Sequence, residues 1–172
     1  MSQVLQLSLP LTRYHQYQAQ TKDCAPYTVA IVINALKGKN LVGEAVAREM
    51  NRPRWSKGLI PVPVVRRIPN WATFPWGIAD ELGRHGVRAR WRFGAREEDL
   101  LTALKDDRIA LPIIGAFTPL WAHVKILAAH DPAQGWGFLD PAHPRPEITW
   151  DSPNLFALLW GNFGHLLVET LA

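Results

Sequence analysis

The sequence has one cysteine, Cys24, among 172 residues. No intrachain disulfide can form, and a cysteine-rich zinc site is excluded. No apolar run approaches the ~18 residues that a membrane helix needs, so membrane insertion is not expected. Met1 to Leu11 carry no basic residue and no long apolar stretch, unlike a signal peptide, and the expected location is cytoplasmic. There is no Gly-x-Ser-x-Gly, which removes the serine hydrolase elbow. There is no His-Glu-x-x-His, no close histidine pair and no Gly-rich phosphate loop, so neither a metal nor a cofactor is expected. Acidic residues are scarce early on. Residues 1–96 hold 15 Lys/Arg against 5 Asp/Glu, and residues 97–172 hold 4 against 10. The halves carry +10 and −6, which together return the net +4. Such asymmetry can mark a surface for an acidic partner. No dense Lys/Arg run occurs, which points away from nucleic acid and toward charges that pair within the fold.

What is present suits one domain over residues 1–172. The chain is 48% hydrophobic and 20% charged, enough to bury a core. It contains eight tryptophans. Trp55, Trp71, Trp76 and Trp121 are candidates for a groove, with core packing the expected fate of most of these four.

The stretch Tyr27 to Leu36 is apolar nearly all round and reads as a buried helix. Pro26 is tolerated in a first helical turn and Gly38 stops the helix, which leaves Cys24 at its N-terminal edge. A short helix is expected over Val42 to Met50. Residues 51–73 form a Pro-rich connection with Arg52, Arg54, Lys57, Arg66 and Arg67, where four prolines preclude a regular helix. A third helix is expected from a Thr73 cap and Pro75 to Gly86. Val87 to Phe93 alternates, with Val87, Ala89, Trp91 and Phe93 facing in and Arg88, Arg90 and Arg92 facing out. Glu97 to Asp107 reads as an amphipathic helix. Strands follow at Ile109–Phe117, His123–Ala129, Trp136–Leu139, Ile148–Trp150 and His165–Leu171, with a helix from Ser152-Pro153 to Trp160. Helices first and antiparallel strands second indicate an α+β fold.

Cys24 carries the first chemical signal. Unpaired N–H groups and the dipole at a helix N-terminus favour a thiolate, which is the nucleophilic form. The alternative is a small buried apolar side chain. A nucleophilic thiol needs a base and a group to orient it. His123 is expected to open one strand, and Asp140 to close the next, across a turn at His130 to Gln134. Such positions are cross-strand neighbours with Cβ atoms about 4.5–8 Å apart, near enough for a carboxylate to hold an imidazole. Gln18, on an extended segment upstream of Cys24, has a side-chain amide that can join a backbone N–H in stabilising an oxyanion. Gln16 and Gln20 compete for that role.

These residues resemble a known family. Gln18, four residues, then Asp23-Cys24-Ala25-Pro26 is similar to the catalytic motif of the bacterial peptidase C39 and C39-like families, which are papain-like cysteine peptidases. Trp121-Ala122-His123 and the apolar residues after it resemble the family's histidine strand, and Phe138-Leu139-Asp140-Pro141 its Asp-Pro. The resemblance covers both ends of the chain and not residues 40–110. It implies a papain-like fold, with the cysteine at a helix N-terminus packed on a C-terminal antiparallel sheet. It also implies Cys24 as nucleophile, His123 as general base and acid, Asp140 as orienting carboxylate, Gln18 as oxyanion donor, and a peptide or protein substrate. Three positions depart from the pattern. Ala25 stands where glycine is common, and Val124 where an aromatic often follows the histidine. Lys125 interrupts an apolar strand, where it would depress the imidazole's basicity or point to solvent. No transporter segment accompanies the chain, so a stand-alone enzyme is expected. The competing expectation is an inactive binding module on the same scaffold. It would use the basic residues 52–67 and the Arg88, Arg90 and Arg92 face for an acidic partner.

Overall fold

Helix α1, Cys24–Lys37, is the centre of packing. Val29 to Ile33 have no solvent exposure, which is why the sequence there is apolar on every face rather than striped. Gly38 ends α1 with a left-handed φ of 62°, a conformation that favours glycine. The computed structural model describes residues 4–56 and 59–171. Met1 of the N-terminal stretch and Lys57 of the basic connection lie outside the described residues.

The other helices are α2 (Gly43–Met50), α3 (Pro75–Arg84), α4 (Glu97–Lys105) and α5 (Pro153–Gly161). Ser152 caps α5 by accepting from the Leu155 N–H. The cap of α3 is Phe74 rather than Thr73, because Thr73 is drawn into a strand.

Two four-stranded antiparallel sheets carry the strands. The first joins β1 (Leu5–Gln6), β9 (Ile126–Asp131), β10 (Gly135–Leu139) and β11 (Ile148–Asp151) in that order. The second joins β6 (Ala89–Arg92), β12 (Leu167–Thr170), β7 (Ala110–Phe117) and β8 (Leu120–Val124). The Pro-rich connection folds into two small ladders, β2 (Arg54–Trp55) with β3 (Pro63–Val64), and β4 (Arg67–Ile68) with β5 (Ala72–Thr73).

The expected single strand from His123 to Ala129 is two strands in different sheets. Val124 is buried in the second sheet and Ile126 in the first, with the step at Lys125. An apolar run buried on both sides carries no alternation, so the crossing leaves no trace in the pattern. His123 therefore lies near the end of β8, opposite Ile114, and does not open β9. Asp140 follows β10, whose last residue Leu139 pairs with Ile126. Both side chains stand at the seam between the sheets.

The outer part of β6 also departs from expectation. Trp91 and Phe93 are exposed, whereas Arg90 and Arg92 reach the carboxylate of Glu169, which is 2% exposed and also binds Arg108. A buried carboxylate requires cations, and that requirement outweighs the alternation. The Arg90 and Arg92 pairs join the basic half of the sequence to the acidic half. On β7, Gly115 lies opposite Ala122. A Cβ there would clash with the Trp121 carbonyl oxygen, so glycine is what lets β8 approach.

Candidate functional site

Cys24 is the first residue of α1, and its surroundings leave the helix start open. Tyr27 donates its N–H to the Asp23 carbonyl, and Pro26 has no N–H. The N–H groups of Cys24 and Ala25 thus have no partner inside the helix. The Asp23 side chain makes no capping bond and pairs instead with Arg67.

His123 faces Cys24 from β8. Its Nε2 lies 2.7 Å from Asp140 Oδ1, which leaves Nδ1 for the sulfur. Burial works against the imidazolium. Hydrogen bonds to Asp140 and Cys24, together with their charges, outweigh it and raise the His123 pKa to about 9. Burial also pushes Asp140 up, but the His123 hydrogen bond and charge, the Ala142 N–H and the Lys125 charge hold it below the usual carboxylate range.

Lys125 does not point to solvent. It is 12% exposed, with Nζ 2.9 Å from Asp151 Oδ2 and 3.8 Å from Asp140 Oδ2, and it stands over the Phe138 ring. It therefore supports the carboxylate that holds His123. Val124 and Ala25 are both buried in the core.

Gln18 is 8% exposed. Its Nε2 donates to the Thr21 carbonyl at 3.0 Å, which uses one of two amide hydrogens. Its backbone N–H donates to the Pro141 carbonyl, and His15 Nε2 contacts the Asp140 carbonyl oxygen, so the Gln18 segment is laced to the Asp-Pro turn. Of the competing glutamines, Gln16 braces Leu41 and Gly43 through its amide, and Gln20 is exposed.

Cys24, His123 and Gln18 line one cavity of about 430 Å³. Its remaining wall is mostly apolar, from Trp71, Trp121, Leu120, Ile113 and Phe163. Two buried polar atoms of its lining residues, Gln18 Oε1 and Thr73 Oγ1, have no hydrogen-bond partner. Trp71 and Trp121 reach this groove, while Trp55 and Trp76 do not line it. All four are exposed, against the expectation of core packing; Trp136 and Trp160 are the ones fully buried. The contribution of Ala72 and Thr73 has no signature in the sequence, because irregular connections lack periodicity.

The basic side chains are largely engaged within the fold. Arg54 pairs with Asp80, Arg66 with Asp80 and Glu81, and Arg67 with Asp23. Among the described residues, no three His, Cys, Asp or Glu side chains converge as metal ligands. No helix of the described residues is long and apolar enough to cross a membrane.

The chain has the fold of a C39-like peptidase, with mixed helices and antiparallel sheets. It superposes on the crystal structure of a Bacillus anthracis protein assigned to the C39-like peptidases, with a TM-score of 0.72. The match covers 99% of this chain and 98% of that one at 13% sequence identity. No family model matches the sequence, and no curated protein does.

Proposed function

We propose that this chain is a papain-like thiol hydrolase that cleaves peptide or isopeptide amide bonds with Cys24, His123, Asp140 and Gln18. The observation that carries the reading is the imidazole of His123, held by Asp140 at 2.7 Å and turned to Cys24 in the wall of a cavity.

In this mechanism the Cys24 thiolate attacks the carbonyl carbon. The carbonyl oxygen becomes an oxyanion that accepts hydrogen bonds from the Cys24 N–H and the second Gln18 amide hydrogen. His123, protonated at neutral pH, gives its Nδ1 proton to the leaving amine as the C–N bond breaks. A thioester remains on Cys24. The neutral imidazole then takes a proton from water, whose oxygen attacks the thioester, and Cys24 leaves as thiolate. Asp140 holds the ring in one orientation throughout and keeps its negative charge. The acting unit is one domain, its substrate a peptide or protein.

The alternative, an inactive module with a basic binding face, requires uncommitted cations. Arg54, Arg66, Arg67, Arg90 and Arg92 each already hold a carboxylate, which favours the hydrolase. The test is a fluorogenic peptide library screened with the protein and with Cys24→Ala and His123→Ala. Turnover that disappears in both variants, with unchanged circular dichroism, is the expected result. Turnover that persists in Cys24→Ala removes the reading.

A further inference from the structure

Asp23 occupies the N-cap of α1, where aspartate ordinarily turns its carboxylate onto the second or third N–H of its own helix. Here the third position is Pro26, which has no N–H, so the Ala25 N–H is the one conventional donor left. The carboxylate does not take it. It is drawn sideways onto the guanidinium of Arg67, with side chains 16% and 3% exposed respectively. Arg67 is fastened by Asn51 Oδ1 at 2.9 Å and by the Ala47 carbonyl, the latter in α2. Four residues further along the same connection, Trp71 enters the wall of the cavity beside Cys24.

We propose that Arg67 is the positioning residue of the nucleophile. By holding the Asp23 carboxylate away from the start of α1 it does two things. It neutralises a negative charge adjacent to the thiolate, which would otherwise oppose it. It also keeps the Ala25 N–H, beside that of Cys24, unoccupied, so the partial positive charge of the helix end acts on the sulfur rather than on a cap. The proposal rests on Cys24 being the nucleophile. It goes beyond that reading by assigning a function to a side chain in residues 51–73, far from the catalytic motif in sequence.

The test is the pH profile of Cys24 alkylation by iodoacetamide, which reports thiolate reactivity without needing a substrate. Arg67→Met releases the carboxylate, and the rate at pH 6.5 is expected to fall about tenfold, the effect of one unit on the pH axis, with the profile moving to alkaline pH. Asp23→Ala in that background removes the released charge and its capping oxygen together, and is expected to restore most of the rate. Arg67→Lys keeps the cation against Asp23 and tests the point where the methionine variant folds poorly; its profile is expected to stay near wild type. A double variant as slow as Arg67→Met, or a lysine variant displaced as far as the methionine one, overturns the proposal by reducing Arg67 to a packing role. An Arg67→Met profile identical to wild type does the same. Failure of the underlying reading looks different, because the wild-type profile itself would then not change in His123→Ala.

Discussion

His123 Nε2 and Asp140 Oδ1 lie 2.7 Å apart although His123 sits on β8 and Asp140 just after β10, strands of different sheets. The bond spans the seam where the chain passes from β8 to β9 at Lys125. Removing its charge without its shape is therefore informative. Asp140→Asn is expected to lower hydrolysis by about 10²–10⁴-fold, because the imidazolium loses its counter-charge and the ring its preferred tautomer. Peptide turnover, with an NMR titration of the His123 ring, checks this. An unchanged rate together with an unchanged histidine titration would show that the carboxylate does not orient the ring.

Under the proposed mechanism, a Gln18 variant separates attack from oxyanion stabilisation. Gln18→Ala is expected to reduce kcat for peptide hydrolysis by about 10²–10³-fold. Iodoacetamide alkylation passes through no tetrahedral oxyanion, so its rate at Cys24 is expected to stay within about threefold of wild type, well short of the tenfold that a single pK unit represents. Equal losses in both assays would mean that Gln18 shapes the cysteine loop through its bond to Thr21 instead.

The raised His123 pKa has a consequence for stability. The folded value of about 9 stands above the unfolded 6.5, so the folded state holds this proton more tightly. The stabilisation is complete below pH 6.5 and is lost as the pH climbs through 9. Its size is about 3 kcal/mol at ~1.36 kcal/mol per unit. Asp140 acts in the opposite sense. Its lowered pKa stabilises the fold above the ordinary carboxylate range and fades as the pH falls through the lowered value. Urea unfolding across pH 3–10 is expected to show the wild-type advantage over His123→Ala shrinking between pH 6.5 and 9. A pH-independent difference contradicts the assigned proton.

Lys125 holds two carboxylates at the same seam. Lys125→Met leaves Asp140 and Asp151 close together without their shared cation. A loss of about 1–3 kcal/mol is expected, since a buried charge-assisted bond is broken and its partners are left uncompensated. Adding Asp151→Asn is expected to return part of that loss. Thermal melts of the single and double variants measure the coupling, and strictly additive losses would show that Lys125 and Asp151 act independently.

Much of the fold is written in local chemistry. The all-round apolar run from Tyr27 marks α1, Gly38 its end, and Ser152-Pro153 the start of α5. The stretches from Gln18 to Pro26 and at Asp140-Pro141 are the short motifs that resemble the C39-like family, and the fold ties them together where the Gln18 N–H donates to the Pro141 carbonyl. Those signals survive because propensity, capping and motif spacing act over a few residues. Other features depend on partners far away in the chain. The break at Lys125 exists because two sheets diverge there, and an apolar run looks the same on either side of it. The outward turn of Trp91 and Phe93 follows from Glu169, which lies more than a helix and a strand away in sequence and needs Arg90 and Arg92. Trp71 and Thr73 reach the cavity only because Arg66 and Arg67 pin the Pro-rich connection to α2, α3 and Asp23. Which positions carry a thiol, an imidazole, a carboxylate or an amide is set residue by residue along the chain. Which of them face one another depends on long-range ion pairs and sheet divergence, contacts between segments that carry no local record of each other.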